Sequence, residues 1–92
     1  MGLNGAHKMR QIQENAYGVL GIEFIAAAQG LDFREYTPGL GTRAGHEAVR
    51  TVVDHLDEDR PLFDDHNNMM EAVENLAILN AVEEKIGPLE IY

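Results

Sequence analysis

No cysteine occurs among the 92 residues, which removes disulfide frameworks and thiol chemistry together. Positive charge is scarce as well: seven Lys and Arg face 16 Asp and Glu, for a formal charge of −9. A nucleic-acid surface needs clustered cations to neutralise phosphates, and an anionic membrane surface needs the same, so neither is expected as a partner. No apolar run approaches the roughly 18 residues of a membrane span. The opening MGLNGAHKMR lacks the apolar centre of a signal peptide. Ala6 stands where a myristoylation signal would place Ser or Thr. These absences predict a soluble, cytoplasmic chain. Its length allows one domain at most, and a marginal one by surface-to-volume scaling.

The chain does have one strong feature, the stretch QENAYGVLGIEFIAAAQGLDFR at 13–34. Ile12, Ala16, Val19, Leu20, Glu23, Ala26, Ala27 and Gly30 recur at three- and four-residue spacing, which is one face of a helix. Ile22 and Ile25 widen the apolar surface beyond an ordinary stripe, so the helix needs neighbours on several sides. Gly30 suits a left-handed position just past the helix end, with Leu31 packing back on the last turn. A helix over 3–29 would be about 40 Å long. Two shorter helices cannot cover that length, which predicts self-association, or association with a larger remainder, through the first helix. Val19, Ile22 and Ile25 are the expected contacts, with Glu23 paired across or beside them.

Two more helices follow, and no strand pattern appears. The segment 31–41, LDFREYTPGLG, is a connector broken by Pro38, Gly39 and Gly41. The second helix is expected over 43–56, with Thr42 as its N-cap and Ala48, Val49, Val52, Val53 and Leu56 as its buried stripe. An acidic turn at 57–64 carries Pro61. The third helix is expected over 65–86, capped by Asp64 or Asp65 and ended by Gly87 and Pro88. Its apolar positions include Met69, Met70, Val73, Leu76 and Leu79. The architecture is therefore all-α: a long N-terminal helix followed by two shorter ones.

Candidate chemistry is thin. Glu23 is the lone charge inside VLGIEFIAAA. It could support a site or an intersubunit ion pair, but a carboxylate hydrogen-bonded at a helix–helix contact is the commoner reading. Asn15 and Gln29 are weighed the same way. His7, His46, His55 and His66 do not form the two-histidine helical motif of zinc hydrolases, so no metal site is assigned. The run Asp54–Asp59 lacks an EF-hand's glycine and reads as a solvated turn. Arg60 should pair locally with an acid or with a helix C-terminal carbonyl. Met69 and Met70 could line a partner groove, but core packing explains them more simply. Tyr17 and Tyr36 have no base at readable spacing, and no catalytic residue is assigned.

Three stretches carry a family resemblance. ENAYGVLGIEFIAAAQGLDFR at 14–34, GTRAGHEAVR at 41–50 and LDEDRPLFDD at 56–65 are similar, in order and spacing, to the C-terminal part of the histidine ammonia-lyase family of aromatic amino acid lyases and aminomutases. The resemblance covers about residues 1–87 and implies part of a helical-bundle lyase fold. The Met1-Gly2 pair resembles one that the family often has just after a Gln-Glu-Asp-His-type active-site segment.

The implied reaction of a complete enzyme is loss of ammonia from an aromatic amino acid, foremost L-histidine to urocanate, as a step of histidine catabolism. The implied cofactor is a methylidene-imidazolone made by cyclisation of an internal Ala-Ser-Gly. This sequence contains no serine, so that cofactor is not expected within it. The family's catalytic tyrosine and active-site glutamate have no counterpart at any matching position. The resemblance therefore implies a structural or assembly portion of a homo-oligomeric lyase, inactive alone. The rival readings are a free-standing acidic helical interaction protein and the small chain of a split lyase or aminomutase.

Overall fold

The computed structural model describes residues 2–90; Met1, half of the Met-Gly pair, lies outside them. Within that span the chain is all-α, with four helices and no strand among the described residues: α1 Gly2–Asp32, α2 Leu40–Arg50, α3 Phe63–Glu74 and α4 Ala77–Ile86. None is long and apolar enough to cross a membrane.

α1 forms because residues 2–32 contain no proline and few β-branched side chains, with Ala26–Ala28 near the end. It runs past Gly30 rather than stopping there. Gly30 is not left-handed; Gly87 is the one glycine with positive φ among the described residues. The helix tightens and ends two residues later, where Phe33 N–H donates to the Gly30 carbonyl at 3.2 Å and Arg34 N–H to Leu31 at 3.0 Å. The extra turn carries Asp32 to partners on α2 and beyond it.

α2 starts earlier and stops earlier than its apolar stripe suggests. Gly39, not Thr42, is the N-cap, and Arg43 N–H closes the first turn on the Gly39 carbonyl at 2.9 Å. At the other end the Thr51 hydroxyl donates to the Ala48 carbonyl at 2.6 Å, and Thr51–Val53 form a turn. Leu56 cannot join the helix because Gln29 takes both its backbone groups: Leu56 N–H donates to Gln29 Oε1, and Gln29 Nε2 donates to the Leu56 carbonyl, each at 3.0 Å.

The expected single helix over 65–86 is two helices. Asn75 N–H still closes on Glu71, but Leu76 turns left-handed at φ 64°, and Asn75 Oδ1 accepts from Ala77 N–H at 3.0 Å. An asparagine side chain competing with the helix backbone restarts the chain as α4. Leu62, not an aspartate, is the N-cap of α3; Asp64 and Asp65 lie in its first turn, where the helix dipole favours acids. Gly87, at φ 85°, ends α4 and is followed by Pro88.

α1 packs mainly on α3, and α2 on α4. Between them lies a small core: Ala28, Ala48, Val49, Val53, Met69, Ala72 and Ile78, flanked by Phe24, Ile25, Val52, Val73 and Ala81. Met69 is fully buried, which makes it core rather than groove. Close approach of α1 and α3 needs Gly21, where a Cβ would sit 3.3 Å from the Met70 backbone nitrogen. The particle is thin and long, 53 × 36 × 17 Å, with a radius of gyration of 15.3 Å. A compact chain of this length would have a radius of about 12 Å.

Candidate functional site: the Asp32 hub and the bare face of the first helix

Asp32 closes α1 in the position least suited to an acid, since the helix C-terminus carries partial negative charge. Three cationic or polar side chains compensate. Its Oδ2 accepts from Arg50 Nη2 at 2.5 Å and from His55 Nδ1 at 2.5 Å; its Oδ1 accepts from His46 Nε2 at 2.6 Å. His46 and Arg50 are one turn apart on α2, so one helix face presents both. The Asp32 side chain keeps 19% of its exposure. The hydrogen bond from His55 is the largest influence on its carboxyl; burial opposes it, and the hydrogen bonds from Arg50 and His46 with the Arg50 charge complete the lowering to well below the usual carboxylate range.

Neighbouring groups extend this hub. His55 Nε2 lies 3.4 Å from Asp57, and Phe33 meets the His55 ring edge-on at 6.0 Å between centroids. Arg50 Nη1 also donates to the Val53 carbonyl at 3.0 Å. Arg60 ties the loop to α3 through Asp65 at 3.1 Å and to the Asp54 carbonyl at 2.9 Å, so it pairs with an acid as its sequence position suggests. The hub joins the end of α1 to α2 and to the 51–62 segment. Its hydrogen bonds run between three parts of the chain, the arrangement of a structural clamp.

The sequence-derived candidates lie elsewhere. Val19 and Ile22 are exposed, at 56% and 55%. Glu23, next to Ile22, is exposed as well; within this chain it is not at a helix–helix contact. Ile25 is half-buried against the chain's own core. Asn15 is exposed, whereas Gln29 holds Leu56. His66 Nε2 donates to the Gly18 carbonyl at 3.0 Å, and His7 stands exposed on α1. Among the described residues no group of three or more His, Asp or Glu could hold a metal ion. Tyr17 accepts from Gln13 at 3.3 Å, and Tyr36 is exposed.

Two surfaces remain open. Ile22, Ile25, Ala26, Val53, Leu56 and Leu62 wall an apolar cleft of about 290 Å³ between α1 and the 51–62 segment. Larger still is the face of α1 turned away from α3. Of the 31 residues of α1, only Gly21 and Ala28 are buried, and residues 2–16 are exposed without exception. Met9 at 71% and Ile12 at 66% continue the line of Val19. The whole chain exposes 7241 Å². A folded monomer of this mass should expose about 5300 Å².

The Asp32 hub is absent from the sequence reading, which names His46 and His55 only as separate metal candidates. Two signals for it exist: an acid at a helix C-terminus, and a His and an Arg four residues apart on the next helix.

The family model for aromatic amino acid lyases matches residues 1–51. The histidine ammonia-lyase of Sorangium cellulosum (strain So ce56) is 46% identical over 90 residues, covering 97% of this chain and 18% of that protein. The histidine ammonia-lyase of Alkaliphilus metalliredigens (strain QYMF) is 42% identical over 90 residues, with the same coverage of 97% and 18%. That of Deinococcus radiodurans is 50% identical over 60 residues, covering 65% of this chain and 12% of that protein. The chain thus spans less than a fifth of the length of these curated relatives. No solved structure matches it.

Proposed function

The chain belongs to the aromatic amino acid lyase family, and on that premise we propose that it serves as a structural and assembly portion of a histidine ammonia-lyase. In the complete enzyme L-histidine would lose ammonia to give urocanate, a cytoplasmic step of histidine catabolism. The 92 residues contain no serine and hence no Ala-Ser-Gly, so they do not fit the methylidene-imidazolone. That group would come from other parts of the enzyme. What this chain offers is a rigid helix held at its end by the Asp32 hub and presented with one face bare.

One observation carries the proposal: the apolar line of α1 through Met9, Ile12, Val19 and Ile22 is uncovered in a chain whose similarity to histidine ammonia-lyases extends over nearly its whole length. Soluble monomers rarely leave so long an apolar stripe exposed. The excess surface, on the order of 1900 Å² on this one chain, is more than twice the roughly 800 Å² that each partner of a standard interface buries. The test is co-purification of the chain with a histidine ammonia-lyase polypeptide from which the matching segment has been removed. A stable complex weakened by Ile12→Lys supports the reading. Failure of the two to associate at micromolar concentration contradicts it.

A further inference from the structure

Polar side chains tie the irregular 51–62 segment to the rest of the chain, and they differ in how they respond to pH. Gln29 grips Leu56 from α1 and carries no charge. Arg60 donates to the Asp54 carbonyl at 2.9 Å, to the His55 carbonyl at 3.3 Å and to Asp65 at 3.1 Å, and a guanidinium keeps its charge throughout. The side chain of His55 is a further tie, and histidine is the residue whose charge changes between about pH 5 and pH 8.

Both nitrogens of the His55 ring face carboxylates. Nδ1 lies 2.5 Å from Asp32 Oδ2, and Nε2 lies 3.4 Å from Asp57 Oδ1. A neutral imidazole has one N–H and can donate to one of them, whereas an imidazolium donates to both. From α2, Arg50 shares Asp32 Oδ2 and His46 takes Asp32 Oδ1. Phe33, just past α1, meets the ring edge-on. With Arg60 engaged by Asp65, two carboxylates face His55 against the fixed charge of Arg50, so uptake of a proton balances the site. Asp32 stays ionised across this range, because its partners hold its carboxyl well below the usual one.

We propose that His55 is a proton-operated latch: charged, it bridges Asp32 and Asp57 and fastens the 51–62 segment to the end of α1; neutral, it lets go of Asp57 and the segment loosens. The direction follows from linkage. The fastened state holds the proton better, so falling pH favours it and rising pH weakens it. The effect reaches the apolar cleft, whose walls are Val53, Leu56 and Leu62 on one side and Ile22 and Ile25 of α1 on the other. A looser segment opens that cleft. His66 of α3 lines the cleft too, but it bonds the Gly18 carbonyl of α1 and not the segment. The latch lies wholly within this chain and does not depend on a lyase partner.

The Leu56 amide reports on the segment directly, because it donates to Gln29 Oε1. Its hydrogen exchange, followed by NMR on the full chain and corrected for the intrinsic rate, is the measurement. Protection should be about two- to fivefold greater near pH 5.5 than near pH 8, the size of one partly exposed ion pair. The His55 ring-proton shift should titrate in parallel. His55→Gln should abolish the difference. Asp57 is 87% exposed, so Asp57→Asn leaves the fold intact and should shrink the difference by about half or more. His46→Gln should leave it in place, since His46 reaches Asp32 and not the segment. Equal protection at the two pH values, a difference that survives His55→Gln, one untouched by Asp57→Asn, or one that disappears only with His46→Gln each overturns the proposal.

Discussion

Gln29 and Leu56, 27 residues apart, exchange two hydrogen bonds: the glutamine amide donates to the Leu56 carbonyl and its oxygen accepts the Leu56 N–H, both at 3.0 Å. This pairing holds the 51–62 segment against α1. Gln29→Ala leaves two half-buried backbone groups without their partner and should cost about 1–3 kcal/mol. Gln29→Glu should cost more at neutral pH, because a carboxylate oxygen would then face the Leu56 carbonyl. Urea unfolding of the three proteins orders them; equal midpoints would mean that water replaces the amide without loss.

Asp32 makes stability depend on acid. Its folded-state pKa lies below the unfolded value of about 3.9, so the native state holds the carboxylate charged where the unfolded chain binds a proton. The stabilisation is therefore complete above about pH 5 and falls as pH drops below the unfolded value toward the folded one. Asp32→Asn should lower the urea midpoint at pH 7 and flatten its dependence between about pH 5 and pH 2. The same acid slope in both proteins would show that other carboxylates govern it.

Two glycines of α1 should respond in opposite directions. Gly30 is helical and exposed, and nothing lies within 4 Å of where a Cβ would stand, so Gly30→Ala should stabilise by about 0.5–1 kcal/mol. Gly21→Leu must push α3 away, because the Met70 backbone stands 3.3 Å from the new Cβ, and should cost about 2 kcal/mol or more. Thermal melts of both variants test this; a lower midpoint for Gly30→Ala would mean that the helix ends at Gly30 in solution.

Leu76 sits left-handed at φ 64° with its side chain 53% exposed. A non-glycine residue there costs about 1–2 kcal/mol, and little packing offsets it within the chain. Leu76→Gly should raise stability by about 0.5–1 kcal/mol, net of the entropy glycine gains in the unfolded chain. Denaturant titration reads the change, and a fall in stability would place the leucine side chain in a contact worth more than the strain.

The all-α architecture and the dominance of α1 are legible in periodicity alone, because a 3.6-residue repeat sustained over so many positions has few other solutions. The core positions Ala48, Val49, Val53 and Met69 follow from the same repeat. What periodicity does not reveal is where side chains take over the backbone. Thr51 ends α2 through its hydroxyl, Gln29 holds Leu56 out of the helix, and Asn75 divides α3 from α4, each by a hydrogen bond that an apolar pattern cannot show. Gly30 misleads for a related reason: its composition suits a helix end, but the Asp32 partners, remote in sequence, carry the helix onward. Val19, Ile22 and Glu23 are legible as surface candidates because two short helices could not cover the whole length of the first. Ile25, one turn further round, packs on the chain's own core instead.

The central claim is that this chain contributes assembly and no chemistry of its own to a histidine ammonia-lyase. Urocanate absorbance, followed after L-histidine is added to the chain alone and to the chain mixed with a lyase polypeptide lacking the matching segment, tests it most directly. The account predicts no turnover by the chain alone, and turnover in the mixture that disappears when Ile12 and Val19 are both replaced by Lys. Turnover by the isolated chain, or an inactive mixture despite a well-formed complex, would contradict it.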